Sequence, residues 1–279
     1  MTNTDTNLDI QNRNNAEKIN FRELRNNYFS QFFNINPELM AVIESVESHF
    51  NLANPSCINV YSFLANYTAA LTKLYFDKPI GDIKILDWGC GRGLNTFLLK
   101  ELGANPVSCD LNVDAFDSTF GQETPIVDHF NIDVIPLNHP YELPFESNSF
   151  DVVLSYGVLE HVSHDTESLK EINRILKDGG LLLCYFLPYF LSWTQPMSKL
   201  TGLFTHDRLY SKSQVYKLLD DSKFDLLDIW HRQLLPKNMI KYPNYQLFEK
   251  MDQFLTNYTP LSYLVTNIEF VATKRNSVT

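Results

Sequence analysis

Two hydrophobic rhythms divide the chain. Phe21, Leu24, Tyr28, Phe29, Phe32 and Phe33 recur at three- and four-residue steps, the stripe of an amphipathic helix. Pro37 opens a second helical run with Leu39, Val42, Ile43, Val46 and Phe50 on one face. A third, over residues 59–75, carries Val60, Phe63, Leu64, Tyr67, Leu71, Leu74 and Tyr75. Residues 19–80 therefore read as a helical subdomain, of the kind that lids a neighbouring site. Residues 1–18 are rich in Asn, Thr and Asp and cannot bury enough apolar surface to offset ordering entropy, so they read as a flexible tail.

After the break at residues 78–81 the rhythm becomes strand, helix, strand. Residues 83–87 form a short β-rich run ending in a glycine-rich turn; residues 96–102 are helical and closed by Gly103. Residues 106–110 and 150–155 read as strands, the latter continuously apolar, as buried parallel strands are. A helix over 168–176 is expected to end at the Asp178, Gly179, Gly180 turn, followed by a strand over 181–186. This alternation predicts an α/β fold, a parallel sheet with helices on both faces and ligands at the carboxyl ends of the strands. Further on, Ser211 caps a helix to Leu219, residues 225–231 and 267–273 read as strands, and a Tyr-, Phe- and Leu-dense stretch lies between. The core is expected over 81–187, and a substrate-binding insertion with the final strand pair over 188–279.

Composition narrows the classes. The chain has 279 residues, 44% hydrophobic and 20% charged, which suits one large globular domain with appendages. A net charge of −10 argues against a general nucleic-acid binder. Cys57, Cys90, Cys109 and Cys184 contain no C-x-x-C pair, so no zinc knuckle or redox motif is read and reduced thiols are expected. The polar N-terminus lacks the apolar segment of a secretory signal, so a cytoplasmic protein is expected. Residues 179–193 are apolar but shorter than the about 20 residues that span a bilayer, and Pro188 interrupts them; a buried strand running into a loop is expected instead.

The sharpest chemical feature is Asp87-Trp-Gly-Cys-Gly-Arg-Gly93. Gly89, Gly91 and Gly93 allow a tight turn, and free N–H groups at the following helix start can meet a ligand. The sixth position of the dinucleotide fingerprint is Leu94, not glycine, and no P-loop occurs. Asp110, at the end of the next strand, can accept both ribose hydroxyls. The pattern fits a nucleoside-bearing cofactor without a pyrophosphate.

Residues 85–93, with Ser108-Cys-Asp-Leu-Asn112, Leu143-Pro-Phe-Glu-Ser-Asn-Ser-Phe-Asp-Val-Val153, Gly157-Val-Leu-Glu-His-Val162 and Arg174-Ile-Leu-Lys-Asp-Gly-Gly180 in that order, resemble class I S-adenosylmethionine-dependent methyltransferases of the small-molecule type. The resemblance implies a Rossmann-like, doubly wound seven-stranded sheet, mostly parallel, with one antiparallel strand near the C-terminus. It implies that Gly89, Gly91 and Gly93 wrap the methionine part of S-adenosylmethionine and that Asp87 orients the loop. Asp110 would hold the ribose and Leu111 would pack on adenine. Asp133 with the backbone of Val134 is nominated for the adenine amino group, with Asn138 or His139 as alternatives after a longer insert. Tyr156 and Gly157 would sit at the methyl-transfer mouth. The nucleic-acid base methyltransferases carry Asp/Asn-Pro-Pro-Tyr/Phe there, and Ser155-Tyr-Gly-Val158 lacks it.

His161, just past that mouth, is the candidate general base for a hydroxyl acceptor. Glu160, His164 and Asp165 adjoin it but read as surface helix residues, and no metal is assigned. His206, Asp207, Arg208 and Tyr210 follow the fifth strand, where such folds insert substrate-binding segments; Tyr28, Phe29, Tyr189 and Trp193 are candidates to exclude water. The expected function is methyl transfer from S-adenosylmethionine to an oxygen or nitrogen of a small molecule, with a sugar- or lipid-linked metabolite in view. Neither nucleic acid nor a transmembrane segment is expected, and oligomeric state is not encoded. The alternatives are a cofactor-binding regulatory protein without turnover and a protein methyltransferase.

Overall fold

Asparagine–proline pairs set where two N-terminal helices begin. Asn36 and Asn54 accept backbone N–H bonds at their helix starts, and Pro37 and Pro55 occupy the first helical position, where a missing N–H does no harm. Helix α1 spans Phe21–Phe29, α2 Pro37–Glu44 and α3 Pro55–Phe76. The Asn54 cap explains why α3 begins before the apolar run at 59. The structure is a computed structural model describing residues 11–12, 15–29, 31–45, 52–111, 125–202, 206, 208–237 and 240–275. Most of the polar N-terminal tail, Val46, Phe50 and Asp207 lie outside the described residues.

The strands are β1 (Ile85–Trp88), β2 (Val107–Leu111), β3 (Val134–Leu137), β4 (Phe150–Tyr156), β5 (Leu176–Pro188), β6 (Phe224–Arg232) and β7 (Asn267–Lys274). They form one sheet in the order β3-β2-β1-β4-β5-β7-β6. Every pair through β5 is parallel, while β7 runs antiparallel to both β5 and β6. This is the mostly parallel sheet with one reversed strand that the sequence implies. Between the strands run α4 (Leu94–Glu101), α5 (Pro125–His129), α6 (Asp165–Ile175), α7 (Thr194–Thr201), α8 (Lys212–Asp221) and α9 (Tyr245–Tyr258).

Side chains alternate across the sheet. Ile85, Val152, Leu154, Leu181 and Leu183 pack on one face with Phe63, Leu64, Leu71 and Tyr75 of α3. Leu86, Val153 and Leu182 pack on the other with Leu169 and Ile172 of α6 and Val215 and Leu219 of α8. Ser211 and Gln214 close a capping box at the start of α8.

One local expectation is corrected. Helix α6 ends at Ile175, and the Asp178, Gly179, Gly180 segment belongs to β5. The strand pairs Leu176 with Phe150, then resumes at Leu181 opposite Val152, so the glycines fill a bulge rather than a helix stop. The apolar stretch beginning at Gly179 is thus largely buried strand. Among the described residues no helix is long and apolar enough to cross a membrane.

Candidate active site

The glycine loop joins β1 to α4 at the carboxyl edge of the sheet. The Gly89 and Cys90 N–H groups both donate to the Cys109 carbonyl, at 2.9 and 3.0 Å, stitching the loop to the end of β2. Gly89 has φ +70°, and a Cβ there would stand 2.5 Å from Val158 Cγ2. Left-handed backbone strain and overpacking together predict that Gly89→Ala destabilises the fold by about 2–4 kcal/mol. Chemical denaturation checks this; Val158→Ala in the same chain should recover the steric part but not the backbone part.

Two carboxylates flank the loop. Asp87 is fully buried; its Oδ2 accepts from Thr96 Oγ1 at 2.7 Å, and Thr96 Oγ1 also lies 2.7 Å from Ser108 Oγ. Its Oδ1 has no hydrogen-bond partner among the described residues. Burial pushes the Asp87 carboxyl up to about 6, against the lowering effect of Thr96. Asp110 accepts from the N–H groups of Gly91 and Leu111, which fix its orientation. Burial raises its pKa, and these two bonds oppose the rise. Two N–H partners use about half of a carboxylate's acceptor sites, leaving the rest for a ligand.

Asp110 borders a cavity of about 580 Å³ lined also by the glycine loop, Leu111, the ends of β3 and β4, and Leu52 and Tyr61 from the N-terminal helical region. The Tyr61 ring stacks on Tyr156 at 6.4 Å between centroids, with Phe186 5.0 Å away on another side. His161 lies at the mouth with 52% of its side chain exposed. Its neighbour Glu160 is only 3% exposed, and burial pushes that carboxyl up to about 8.

Gly89, Gly91, Asp110, Leu111, Tyr156 and His161 thus meet around one cavity. Asp87 supports the loop from beneath, and Gly93 caps α4 with φ +81°. Asp133 and Val134 do not line the cavity. Asp133 precedes β3, which starts at Val134. Parallel pairing sets Val134 beside Ser108, deep in the sheet, and sets Pro136 and Leu137 beside Asp110 and Leu111. The wall there is Leu137 with His139, Pro140 and Tyr141.

The candidate acceptor residues are also dispersed. Arg208 donates to the Val162 carbonyl at 2.7 Å and pairs with Asp165 at 3.4 Å. The buried Tyr210 hydroxyl donates to the Leu159 carbonyl at 3.2 Å and to Asp165 at 3.3 Å. Both brace the turn after β4 instead of lining the cavity. Tyr28 packs on the core beneath α3, and Tyr189 and Trp193 pack with Leu234 and Ile268. Among the described candidates only His206 approaches the mouth, its ring 6.1 Å from that of His161. Leu52, Tyr61, Arg92 and Tyr141 were not legible as site residues: their sequence signal is helix periodicity or loop composition, which reports burial or a turn, not proximity to a ligand.

Residues 86–184 match the family described as Methyltransferase domain. The Ubiquinone biosynthesis O-methyltransferase of Maricaulis maris is 31% identical over 110 residues, 39% of this chain and 42% of that protein. The protein of the same description from Rickettsia bellii is 27% identical over 182 residues, 59% of this chain and 70% of the relative. The chain spans about two fifths of the length of the first curated relatives it matches. Among solved structures, a Galdieria sulphuraria protein described as a candidate sarcosine dimethylglycine methyltransferase superposes with a TM-score of 0.52. It is 17% identical, over 80% of this chain and 86% of that one. A protein described as a candidate methyltransferase, in complex with the Haloferax volcanii Trm112 methyltransferase activator, gives a TM-score of 0.50 at 15% identity, over 71% of this chain and 84% of that one. At that identity the two structures bear on the fold alone. The match and the sheet order define residues 86–184 as a methyltransferase domain on a Rossmann-like sheet. Residues 86–184 form a class I S-adenosylmethionine-dependent methyltransferase domain, whose cofactor is S-adenosylmethionine. The glycine loop and the half-satisfied Asp110 on the cavity wall, with the unpartnered Asp87 Oδ1 buried beneath the loop, are a donor and acceptor set that fits that cofactor.

Proposed function

We propose that the chain transfers the methyl group of S-adenosylmethionine to an oxygen or nitrogen atom of a small acceptor. The observation that carries this reading is the cavity itself: a glycine cradle and Asp110 at one end, and an aromatic wall of Tyr61 and Tyr156 leading to His161 at the mouth. The bound cofactor supplies an electrophilic methyl on a sulfonium. The protein's part is to hold acceptor and methyl in line, since alignment removes much of the entropy of encounter. The names of the Maricaulis and Rickettsia relatives favour an oxygen acceptor, and the −10 net charge favours a small molecule over nucleic acid.

In this reading Asp110 would hold the ribose hydroxyls, and Leu111, Leu137, His139 and Tyr141, which line the same cavity, would hold the adenine. Asp87, buried beneath the loop, would hold the cofactor's ammonium end, and His161 would take the proton of a hydroxyl acceptor. Residues 188–279 and the lid over 19–80 supply acceptor specificity, and the setting is cytoplasmic. Labelled cofactor incubated with fractionated metabolite extract, followed by mass identification of the product, tests the whole reading. Label in protein would favour a protein substrate, and cofactor binding without any transfer would favour a regulatory protein.

Two further outcomes are expected. His161→Ala should lower kcat at least about tenfold with a smaller change in cofactor affinity, since general-base assistance contributes on the order of 10² or more. Equal loss of both, read by calorimetry and steady-state kinetics, would make His161 structural. Asp87 supplies the pH dependence. Its carboxyl sits at about 6 in the unliganded fold, so it is mostly neutral at pH 5 and ionised at pH 7. A cationic ligand favours the ionised form, so cofactor affinity should rise about tenfold between pH 5 and pH 7. That rise should vanish in Asp87→Asn.

A further inference from the structure

We propose that Glu160, His161 and His206 form a binding site for a first-row divalent cation, of the zinc or ferrous class, at the mouth of the cavity. One ligand atom from each of the three lies within 4.8 Å of the others. Glu160 Oε1 stands 3.9 Å from His161 Nε2. Ligands on one such cation stand about 3–4 Å apart, given bonds of about 2.0–2.2 Å. A closing movement of about 1 Å brings the three into coordination range, and the half-exposed His161 side chain has room to make it.

The three residues come from two loops. Glu160 and His161 follow β4, and His206 lies beyond α7, so the fold and not chain proximity brings them together. The nearer candidates in sequence are used elsewhere: Asp165 pairs with Arg208, and His164 sets its ring edge-on to Tyr141.

A second observation concerns Glu160 by itself. Its side chain is 97% buried by its 3% exposure, yet Oε2 has no hydrogen-bond partner among the described residues. A buried carboxylate oxygen left this way must take a proton or a cation, because desolvation without compensation is costly. His206 is fixed in place by Gln195, whose Nε2 amide donates to His206 Nδ1 at 3.0 Å and whose Oε1 accepts from the His206 backbone N–H at 3.3 Å.

The donor set selects the ion. Two imidazoles and one carboxylate suit zinc, iron or cobalt and are a poor match for calcium or magnesium, which prefer all-oxygen shells. Three protein ligands leave positions open for water or for an oxygen of a second molecule. The acceptor class this implies is one bearing a hydroxyl or carbonyl oxygen near the transferred methyl. That use of the cation rests on the function proposed above and replaces its general base, because a ligated His161 nitrogen cannot also take a proton; the cation would instead lower the pKa of an acceptor hydroxyl. Binding of the cation does not rest on that function and is read directly.

The test is a cobalt(II) titration of the full chain after removal of metal by a chelator, followed by visible d–d absorption. One equivalent should bind, and zinc should displace it with the same stoichiometry. His206→Ala and Glu160→Gln should each weaken cobalt binding at least tenfold, while His164→Ala leaves it unchanged. Circular dichroism establishes that each variant folds; if Glu160→Gln does not, His206→Ala carries the test. Three results overturn the site: no d–d absorption at millimolar cobalt, a thiolate-to-cobalt charge-transfer band showing a cysteine ligand, or unchanged binding in folded His206→Ala. A metabolite screen without methyl transfer would leave the cobalt result standing, so failure of the function and failure of the site are distinguishable.

Discussion

Alanine at position 110 is expected to weaken S-adenosylmethionine binding a hundredfold or more while the protein stays folded. A carboxylate accepting two ribose hydroxyls contributes charge-assisted bonds of about 1.5–3 kcal/mol each, or roughly 3–6 kcal/mol together. Every 1.4 kcal/mol is about tenfold in affinity, so the loss is on the order of 10²–10⁴. The same carboxylate accepts from Gly91 and Leu111, so its removal also frees the loop that must close on the ligand. Asp110→Asn keeps the shape with one acceptor oxygen and should fall between the two. Calorimetry measures the affinity, and a thermal melt separates it from unfolding. An unchanged dissociation constant would remove the ribose assignment.

Glu269→Ala should produce the largest loss of stability, about 3–5 kcal/mol, the usual effect of removing one partner from a buried ion pair. Arg232 is 1% exposed and Glu269 is fully buried, and they pair between β6 and β7. The guanidinium also lies 4.6 Å over the Phe186 ring, and Phe186 donates its N–H to Glu269 Oε1 at 3.3 Å. Alanine at 269 strands a buried positive charge and withdraws the acceptor from a residue held at φ +61°. Arg232→Met combined with Glu269→Leu should recover most of the loss, because an apolar pair of similar volume leaves nothing unpaired. Denaturant unfolding of the single and double variants gives the comparison. A single variant within about 0.5 kcal/mol of wild type would mean the pair is not structurally needed. Since Phe186 packs on Tyr61, the single variant should also disturb the acceptor side of the cavity.

The parts of the fold legible beforehand are those in which local pattern and global packing agree. The continuous apolar run of β4 is buried on both faces, and the Ser211 cap and the β6 and β7 runs lie where their residue patterns place them. The glycine loop and Asp110 were legible because backbone geometry and a carboxylate at a strand end leave a mark at fixed spacing. Asp133 and Val134 lie off the cavity wall while His139, the alternative nominated with them, lines it; a four-residue strand gives no periodicity by which to find its end. The Asp178, Gly179, Gly180 segment was misread because glycines that stop a helix and glycines that fill a bulge look the same in sequence. Arg208 and Tyr210 read as polar groups around a pocket, yet a loop brace draws on the same residue types. Tyr61 carries no local signal, and Glu160, which reads as a surface residue beside His161, is buried: both placements depend on how α3 and the turn after β4 pack against the sheet.

The position of β7 has a consequence for how the molecule is made. The strand latest in sequence sits between β5 and β6, next to last in the sheet. While the chain emerges from a ribosome, β5 has a bare edge and β6 no neighbour until residues 267–274 arrive. The buried Glu269 travels with that strand, so Arg232 waits without its partner for the same interval. Chaperone binding to nascent chains should therefore persist until the final strand is released, and a nascent chain arrested before residue 267 should stay protease-sensitive across β5 and β6.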